Sequence, residues 1–238
     1  SRAEWEEGLE VVVKAFRNEP LEHDGEHLSI PPREVWPKPI QKPHPPLWMA
    51  GSQPDTFTVA GHKGLGVLCF QLTAEGVGTC VKNYRRALET AEPVGDVIND
   101  QFAALALTHC GRGPDTRTHG VEGARWFLQK VVEILIGLKD SDSYEYLKGM
   151  IDLDNQPKDA TAEELEAHPF VIVGDPDHCI KKLEAVKVLG MDQIITFQQM
   201  GAIPHERIMQ SIQLFGDEII PHFKNKTVPA DMKAVSAG

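Results

Sequence analysis

The sequence contains no long apolar run, since none of its hydrophobic segments approaches the ~20 residues needed to span a bilayer. It is also poor in basic residues, with 24 Lys and Arg against 35 Asp and Glu and a net charge of −11. Nucleic acids and anionic membranes favour basic patches, so the composition argues against both as partners. We expect a soluble cytoplasmic protein.

Cysteines are few and widely separated. The four of them, Cys69, Cys80, Cys110 and Cys179, form no CxxC pair, so the spacing suits neither a zinc site nor a small disulfide scaffold. Reduced thiols are expected instead. His23 and His27 stand four residues apart, as metal ligands on a helix do. However, Asp24-Gly25 between them predicts a positive-φ hairpin turn over Leu21–Ile30, so we predict no metal site.

Several catalytic signatures are absent as well. The sequence has no HExxH pair, no P-loop, no nucleophile elbow and no paired carboxylates at predicted strand ends. Gly76-Val77-Gly78 begins like a dinucleotide fingerprint, but Val81 occupies the position of its third small residue. We therefore predict no Rossmann site.

Short apolar runs alternate with amphipathic segments along the chain. Strands are predicted near residues 47, 65, 102 and 193, with a fifth, weaker run at 170, and helices lie between them. This alternation predicts an α/β fold, in which parallel strands are covered by helices. About four strands are half the number in a closed TIM barrel.

The most informative stretch is Pro37–Gly66. Its proline-dense start must be extended, because each proline fixes φ and removes a backbone donor. Leu47–Ala50 then predicts a buried strand, and a helix follows a small-residue loop. Ser52 or Asp55 can cap that helix, and Pro54 suits its first turn. Such a loop is a ready anion site, and an ordinary strand–helix turn is the alternative.

Two blocks resemble bacterial-luciferase-like, flavin-dependent monooxygenases. They are PKPIQKPHPPLWMAGSQPDTFTVAGHKGLGVL, and the C-terminal block from Val173 to Phe223 beginning VGDPDHCIKKLEAVKVLGMDQIITFQQMG. The resemblance implies one domain over residues 1–238 that forms the C-terminal part, or second half, of a TIM-barrel-type fold. It also implies a helical insertion at about 111–168, which is a lid or a peripheral excursion, and a polar tail at 224–238.

The resemblance also implies a chemistry and a site. Reduced FMN, supplied by an NAD(P)H-dependent flavin reductase, and O2 would oxygenate an unidentified organic substrate. Gly51, Ser52 and Thr56 would hold the FMN phosphate with Asp55 as a capping neighbour, while Gln53 departs from the commonest form of this loop. Side chains at predicted strand ends are candidates for the substrate pocket or for the core: Trp48, Phe70, Gln198 and Gln199.

His109 is the histidine at a predicted strand end, hence the candidate general base, with a structural role as the alternative. Two other functions stay open. One is a deazaflavin-dependent oxidoreductase of the same superfamily. The other is a non-catalytic, flavin-binding half-barrel. A homo-oligomer or a complementary N-terminal half is expected to cover the inner face of the strands.

Overall fold

The computed structural model describes residues 2–71, 73–137 and 160–224. These divide into two compact units, the first comprising Ser1–Phe70 with Gly78–Ala103 and the second Gln71–Val77 with Ala104–Gly238. Residues 138–159 of the expected insertion and residues 225–238 of the expected tail lie outside the described residues.

The elements follow the predicted alternation of strands and helices. In chain order they are α1 (Arg2–Phe16), β1 (Leu21–Asp24), β2 (Ser29–Arg33), β3 (Trp48–Gly51), α2 (Pro54–His62), β4 (Gly66–Cys69), α3 (Ala74–Leu88), β5 (Phe102–Cys110), α4 (Thr116–Gly137), α5 (Ala162–Ala167), β6 (Val171–Gly174), α6 (Pro176–Lys187), β7 (Gln193–Phe197), α7 (His205–Leu214), a π-helical turn (Phe215–Ile219) and α8 (Ile220–Lys224). The α/β fold class is confirmed, and the weak run at 170 is a real strand, β6.

In the first unit, β3 and β4 run parallel, with Trp48 beside Gly66 and Gly51 beside Cys69. Strand alternation separates two faces. Val67 is buried, whereas Trp48, Ala50 and Leu68 are exposed on the other face, so the prediction of a buried strand at Leu47–Ala50 is wrong for that face.

Three rings form the centre of the first unit. Phe57 of α2 and Tyr84 of α3 both pack against Phe102 at the start of β5, with ring centroids 5.6 and 5.7 Å apart. The Tyr84 hydroxyl lies 2.9 Å from the carbonyl oxygens of both Leu65 and Asn99. These contacts join α2 and α3 to the backbone that enters β4 and β5.

The hairpin β1–β2 forms as predicted, but its turn works differently. Gly25 does not have a positive φ, so that prediction is wrong. A Cβ at residue 25 would lie 2.1 Å from Glu7 Oε1, so the glycine admits a carboxylate of α1 instead. Glu7 accepts hydrogen bonds from the backbone N–H groups of His27 and Leu28 and from His23 Nε2, at 2.8–2.9 Å. The turn is therefore held by a helix side chain in addition to its own backbone hydrogen bond, from Gly25 N to the Leu28 carbonyl oxygen at 2.9 Å.

In the second unit, β5 pairs in parallel with β6 from Leu107–Val171 to Cys110–Gly174, and β7 also pairs with β5. One core cluster joins these strands to α4 and α5, and its members include Leu107, Val121, Leu128 and Leu165. The short helix α5 begins at the capping box of Thr161 and Glu164, which fixes its first turn.

All four cysteines are free and buried. Cys69 and Cys80 belong to the first unit, and Cys110 and Cys179 belong to the second. Within each unit the two thiols lie beside each other, and Cys179 Sγ donates a hydrogen bond to the Gly174 carbonyl oxygen at 3.7 Å. This agrees with the reduced thiols expected from the sequence.

Candidate functional site

The loop from β3 to α2 brings Gly51 and Thr56 together. A Cβ at residue 51 would lie 2.5 Å from Thr56 Cγ2, so only glycine admits the threonine at this distance. The Gly51 carbonyl oxygen accepts a hydrogen bond from Phe70 N at 2.9 Å, which ties the end of β3 to the end of β4. Ser52 is buried, whereas Asp55 is exposed. Gly51, Ser52 and Thr56 thus lie in one strand–helix turn, with Asp55 at its rim.

The cap of α2 differs from the expectation. Neither Ser52 nor Asp55 occupies the N-cap position, which belongs to Gln53 and carries no side-chain cap hydrogen bond. Sequence reasoning misassigned it because short polar side chains are the usual caps. Pro54 does occupy the first turn, as predicted.

Gln53 contributes the most distinctive feature of this turn. Its Nε2 is enclosed and has no hydrogen-bond partner among the described residues. A buried amide donor left without an acceptor costs about 1–3 kcal/mol, so such a group calls for a ligand. An anion at the start of α2 would supply the acceptor, because the dipole of the helix also favours negative charge there. The residues of this turn therefore fit a phosphate.

Two of the proposed pocket residues, Trp48 and Phe70, lie close to this turn in the first unit. Trp48 opens β3 on its exposed face. Phe70 follows β4 directly and is half-buried. The hydrogen bond from its N–H to Gly51 places Phe70 next to the turn.

The other two, Gln198 and Gln199, follow β7 in the second unit. Gln198 is half-buried, and its Oε1 accepts a hydrogen bond from Ser211 Oγ at 2.6 Å. Ser211 Oγ in turn accepts from Cys110 N at 2.8 Å, so Gln198 helps to join the ends of β5 and β7 to α7. Gln199 is exposed.

His109, the candidate general base, is enclosed. It is 2% exposed, lies two residues after core Leu107 on the same face of β5, and packs closely against Gly120 of α4. Burial lowers its pKa, His119 and Arg207 lower it further, and Asp115 opposes them. His109 Nδ1 has no hydrogen-bond partner among the described residues. A neutral, enclosed imidazole suits the structural alternative better than proton transfer to a substrate.

Sequence reasoning missed a polar cluster beside His109. Asp115, just after β5, forms an ion pair with Arg207 of α7 at 2.8 Å and lies 3.6 Å from His119 of α4. The rings of His109 and His119 meet edge to face at 6.4 Å. His119 lies on a helix, where a search of strand ends does not look. The sequence signal that could have identified His119 is its position near the start of the helix that follows β5, at the carboxyl end of the sheet.

Among residues 2–71, 73–137 and 160–224, no group of three or more His, Cys, Asp or Glu side chains is placed to hold a metal ion. Within the same residues, no helix has the length and apolar character needed to cross a bilayer.

Comparison with known proteins identifies the family. Residues 1–193 match the sequence profile described as "Luciferase-like monooxygenase". Because this match covers most of the chain, the chain belongs to the luciferase-like monooxygenase family. The resemblance noted in the sequence is confirmed.

Three similar proteins show the range of the family. The oxygenase component of flavin-dependent trigonelline monooxygenase from Acinetobacter baylyi is 23% identical, over 98% of this chain and 65% of its own. The 5,10-methylenetetrahydromethanopterin reductase of Methanopyrus kandleri is 24% identical, over 90% and 61%. The solved oxygenating constituent of 3,6-diketocamphane monooxygenase from Pseudomonas putida, in complex with FMN, has a TM-score of 0.66 at 18% identity, over 91% and 62%.

These matches establish the fold. They also place the chain in the luciferase-like oxidoreductase superfamily, which includes flavin monooxygenases and reductases. The chain spans about three-fifths of the length of the curated relatives it matches.

Proposed function

We propose that this chain is the C-terminal part of an FMN-dependent monooxygenase, and that the turn from Gly51 to Thr56 binds the FMN phosphate. The observation that carries the proposal is the enclosed, unsatisfied Nε2 of Gln53 at the start of α2. Ser52, Gln53 and Thr56 are the side-chain donors of this turn, and Gly51 lets Thr56 approach. When bound, reduced FMN supplies the reactivity toward O2.

The residues of this chain would bind and orient the cofactor. Hydrogen bonds to a doubly charged phosphate are stronger than those between neutral groups, so two or three donors fix its position firmly. Phe70 and Trp48 are proposed to line the adjoining pocket, because Phe70 is bonded to the turn and Trp48 is exposed on the same strand as Gly51. The substrate is proposed to be a small organic molecule.

The partners are proposed on the same basis. The names of two similar proteins describe an oxygenase component and an oxygenating constituent, which supports a separate reductase as the source of reduced flavin. The exposed apolar face of β3 and β4, with Trp48 and Leu68, supports a covering segment. We propose that a complementary N-terminal half of the barrel, or a second copy, provides it.

The phosphate assignment is tested by titrating the chain with FMN and, separately, with riboflavin, which lacks the phosphate. Ser52→Ala and the isosteric Gln53→Glu should each weaken FMN binding at least about tenfold, because each loses a hydrogen bond to a charged group. Riboflavin binding should not change. Thr58→Ala is the matched control, since the Thr58 hydroxyl is bonded within α2 to the Pro54 carbonyl oxygen at 3.4 Å. Equal losses for FMN and riboflavin would refute the phosphate cradle.

A deazaflavin-dependent oxidoreductase is the second candidate, favoured by the similarity to the solved coenzyme F420-dependent tetrahydromethanopterin reductase from Methanopyrus kandleri. Both cofactors carry phosphate, so the same turn would serve either. Competition between FMN and the deazaflavin cofactor, followed by their distinct absorption, separates the two functions.

A further inference from the structure

A cavity lies within the second unit and has no part in the proposed phosphate site. Its volume is about 340 Å³, within the range of small-molecule sites. It runs along the first half of α4 and beside the segment that follows β7. Its lining consists of Thr118, His119, Glu122, Gly123, Arg125, Trp126, Gln129, Ala202 and Ile203.

Two glycines fix the walls of this cavity. Gly201 has φ +57°, and a Cβ there would lie 3.2 Å from Trp126 Cγ, so the backbone of the loop packs directly beside the indole. A Cβ at Gly123 would lie 2.8 Å from Ile203 Cδ1 and 3.1 Å from the Met200 carbonyl oxygen. Trp126 nevertheless remains 46% exposed. The cavity therefore presents one face of a large, well-supported aromatic ring.

The charges in the cavity are already compensated. Arg125 Nη1 forms an ion pair with Glu122, and Arg125 Nη2 donates to the Ala160 carbonyl oxygen at 3.2 Å. A charged ligand would have to compete with these contacts, so the lining favours an uncharged molecule over an ion.

His119 supplies a polar group at the edge of the cavity. Its Nδ1 is enclosed and faces Asp115 Oδ2 at 3.6 Å, so a ligand in the cavity would have to bond to the other ring nitrogen, Nε2. Asp115 is itself held by Arg207 at 2.8 Å. An imidazole in this position can orient a ligand that brings a neutral hydrogen-bonding group.

We propose that this cavity binds an uncharged planar aromatic or heteroaromatic molecule, whose ring stacks on Trp126 and whose polar edge hydrogen-bonds to His119. Stacking suits the exposed indole face, since offset aromatic pairs contribute beyond their buried area. The site requires no flavin, so this proposal can be tested independently of the proposed phosphate site.

The test uses three probes without any flavin present: quinoline-3-carboxamide, the anionic quinoline-3-carboxylate, and the non-aromatic cyclohexanecarboxamide. Binding is followed by calorimetry and by the NMR signal of the Trp126 indole N–H. We expect the aromatic amide to bind at least about fivefold more tightly than either of the other probes and to shift the Trp126 signal.

Variants then separate the two contacts. Trp126→Ala should weaken binding of the aromatic amide about tenfold, and Trp126→Phe should retain part of it. His119→Phe should weaken binding of the amide, but not of unsubstituted quinoline. Trp36→Ala, at a 72% exposed tryptophan in the first unit, is the control and should change nothing. Failure of the aromatic amide to shift the Trp126 signal at millimolar concentration, or unchanged affinity in Trp126→Ala, would overturn the proposal.

Discussion

Replacing Gly51 by alanine tests the geometry of the phosphate turn directly. The added Cβ would lie 2.5 Å from Thr56 Cγ2, 3.1 Å from Thr56 Cβ and 3.5 Å from Thr56 Oγ1. Carbon atoms in good contact are about 3.5–4.0 Å apart, so the closest pair overlaps by about 1 Å. Thr56 would have to move, and with it the start of α2.

The cost follows from this overlap. Overpacking by one methyl group in a tight site costs about 1–3 kcal/mol. Alanine in a strand regains about 0.5–1 kcal/mol over glycine, because the unfolded chain loses less freedom on folding. Gly51→Ala should therefore destabilise the chain by up to about 2.5 kcal/mol. In a Thr56→Ser background the 2.5 Å contact disappears, so the same substitution should become nearly neutral.

The assay is urea unfolding of four proteins: the parent, each single variant and the double variant. The expected coupling between residues 51 and 56 is about 1 kcal/mol or more, which such a cycle resolves. Gly8→Ala is the control, since nothing lies within 4 Å of a Cβ there and helix propensity predicts a gain of up to about 1 kcal/mol. The same cost for Gly51→Ala with threonine or serine at 56 would refute the reasoning.

Two further predictions concern the first unit. Burial raises the pKa of Glu7, but the hydrogen bonds from His23, His27 and Leu28 outweigh it and lower the pKa to about 2 from its ordinary 4.5. Glu7 therefore contributes stability that is complete above pH ~4.5 and is lost as the pH falls toward ~2. In the Glu7→Gln variant, the urea midpoint should fall less between pH ~4.5 and ~2 than it does in the parent. In Glu10→Gln, on the exposed side of α1, the midpoint should fall as steeply as in the parent. The same pH dependence in both variants would contradict the assignment. Tyr84→Phe removes the hydroxyl that contacts the Leu65 and Asn99 carbonyl oxygens. It should lower the free energy of unfolding by about 1–2 kcal/mol, measured by urea unfolding at unchanged m value. An unchanged urea midpoint would show that this hydroxyl does not stabilise the chain.

The sequence predicted those elements whose cause is local. Hydrophobic periodicity located the strands and most helices, because both the spacing of apolar residues and the element it predicts lie within one short segment. The proline-dense segment before β3 is irregular, as proline chemistry requires.

Features that rest on long-range contacts were not predictable. The N-cap at Gln53 departs from capping preference, since Gln53 is not a usual cap residue and makes no side-chain cap hydrogen bond. Glu7 holds a turn some twenty residues away, and the local sequence of neither segment predicts this contact. His119 becomes prominent only because β5, α4 and α7 bring Asp115 and Arg207 beside it. The sequence left His109 open between a general base and a structural residue, because strand alternation alone does not say which face a helix covers.

The buried cysteines have a practical consequence. Each unit carries two thiols that solvent reaches only when that unit opens. The rate at which a maleimide or disulfide reagent modifies Cys69 and Cys80, compared with Cys110 and Cys179, therefore reports the opening of each unit separately. Peptide mass mapping would read both rates from one sample, without introducing a label or changing a residue. The native cysteines thus report the local unfolding of each unit through their rates of modification.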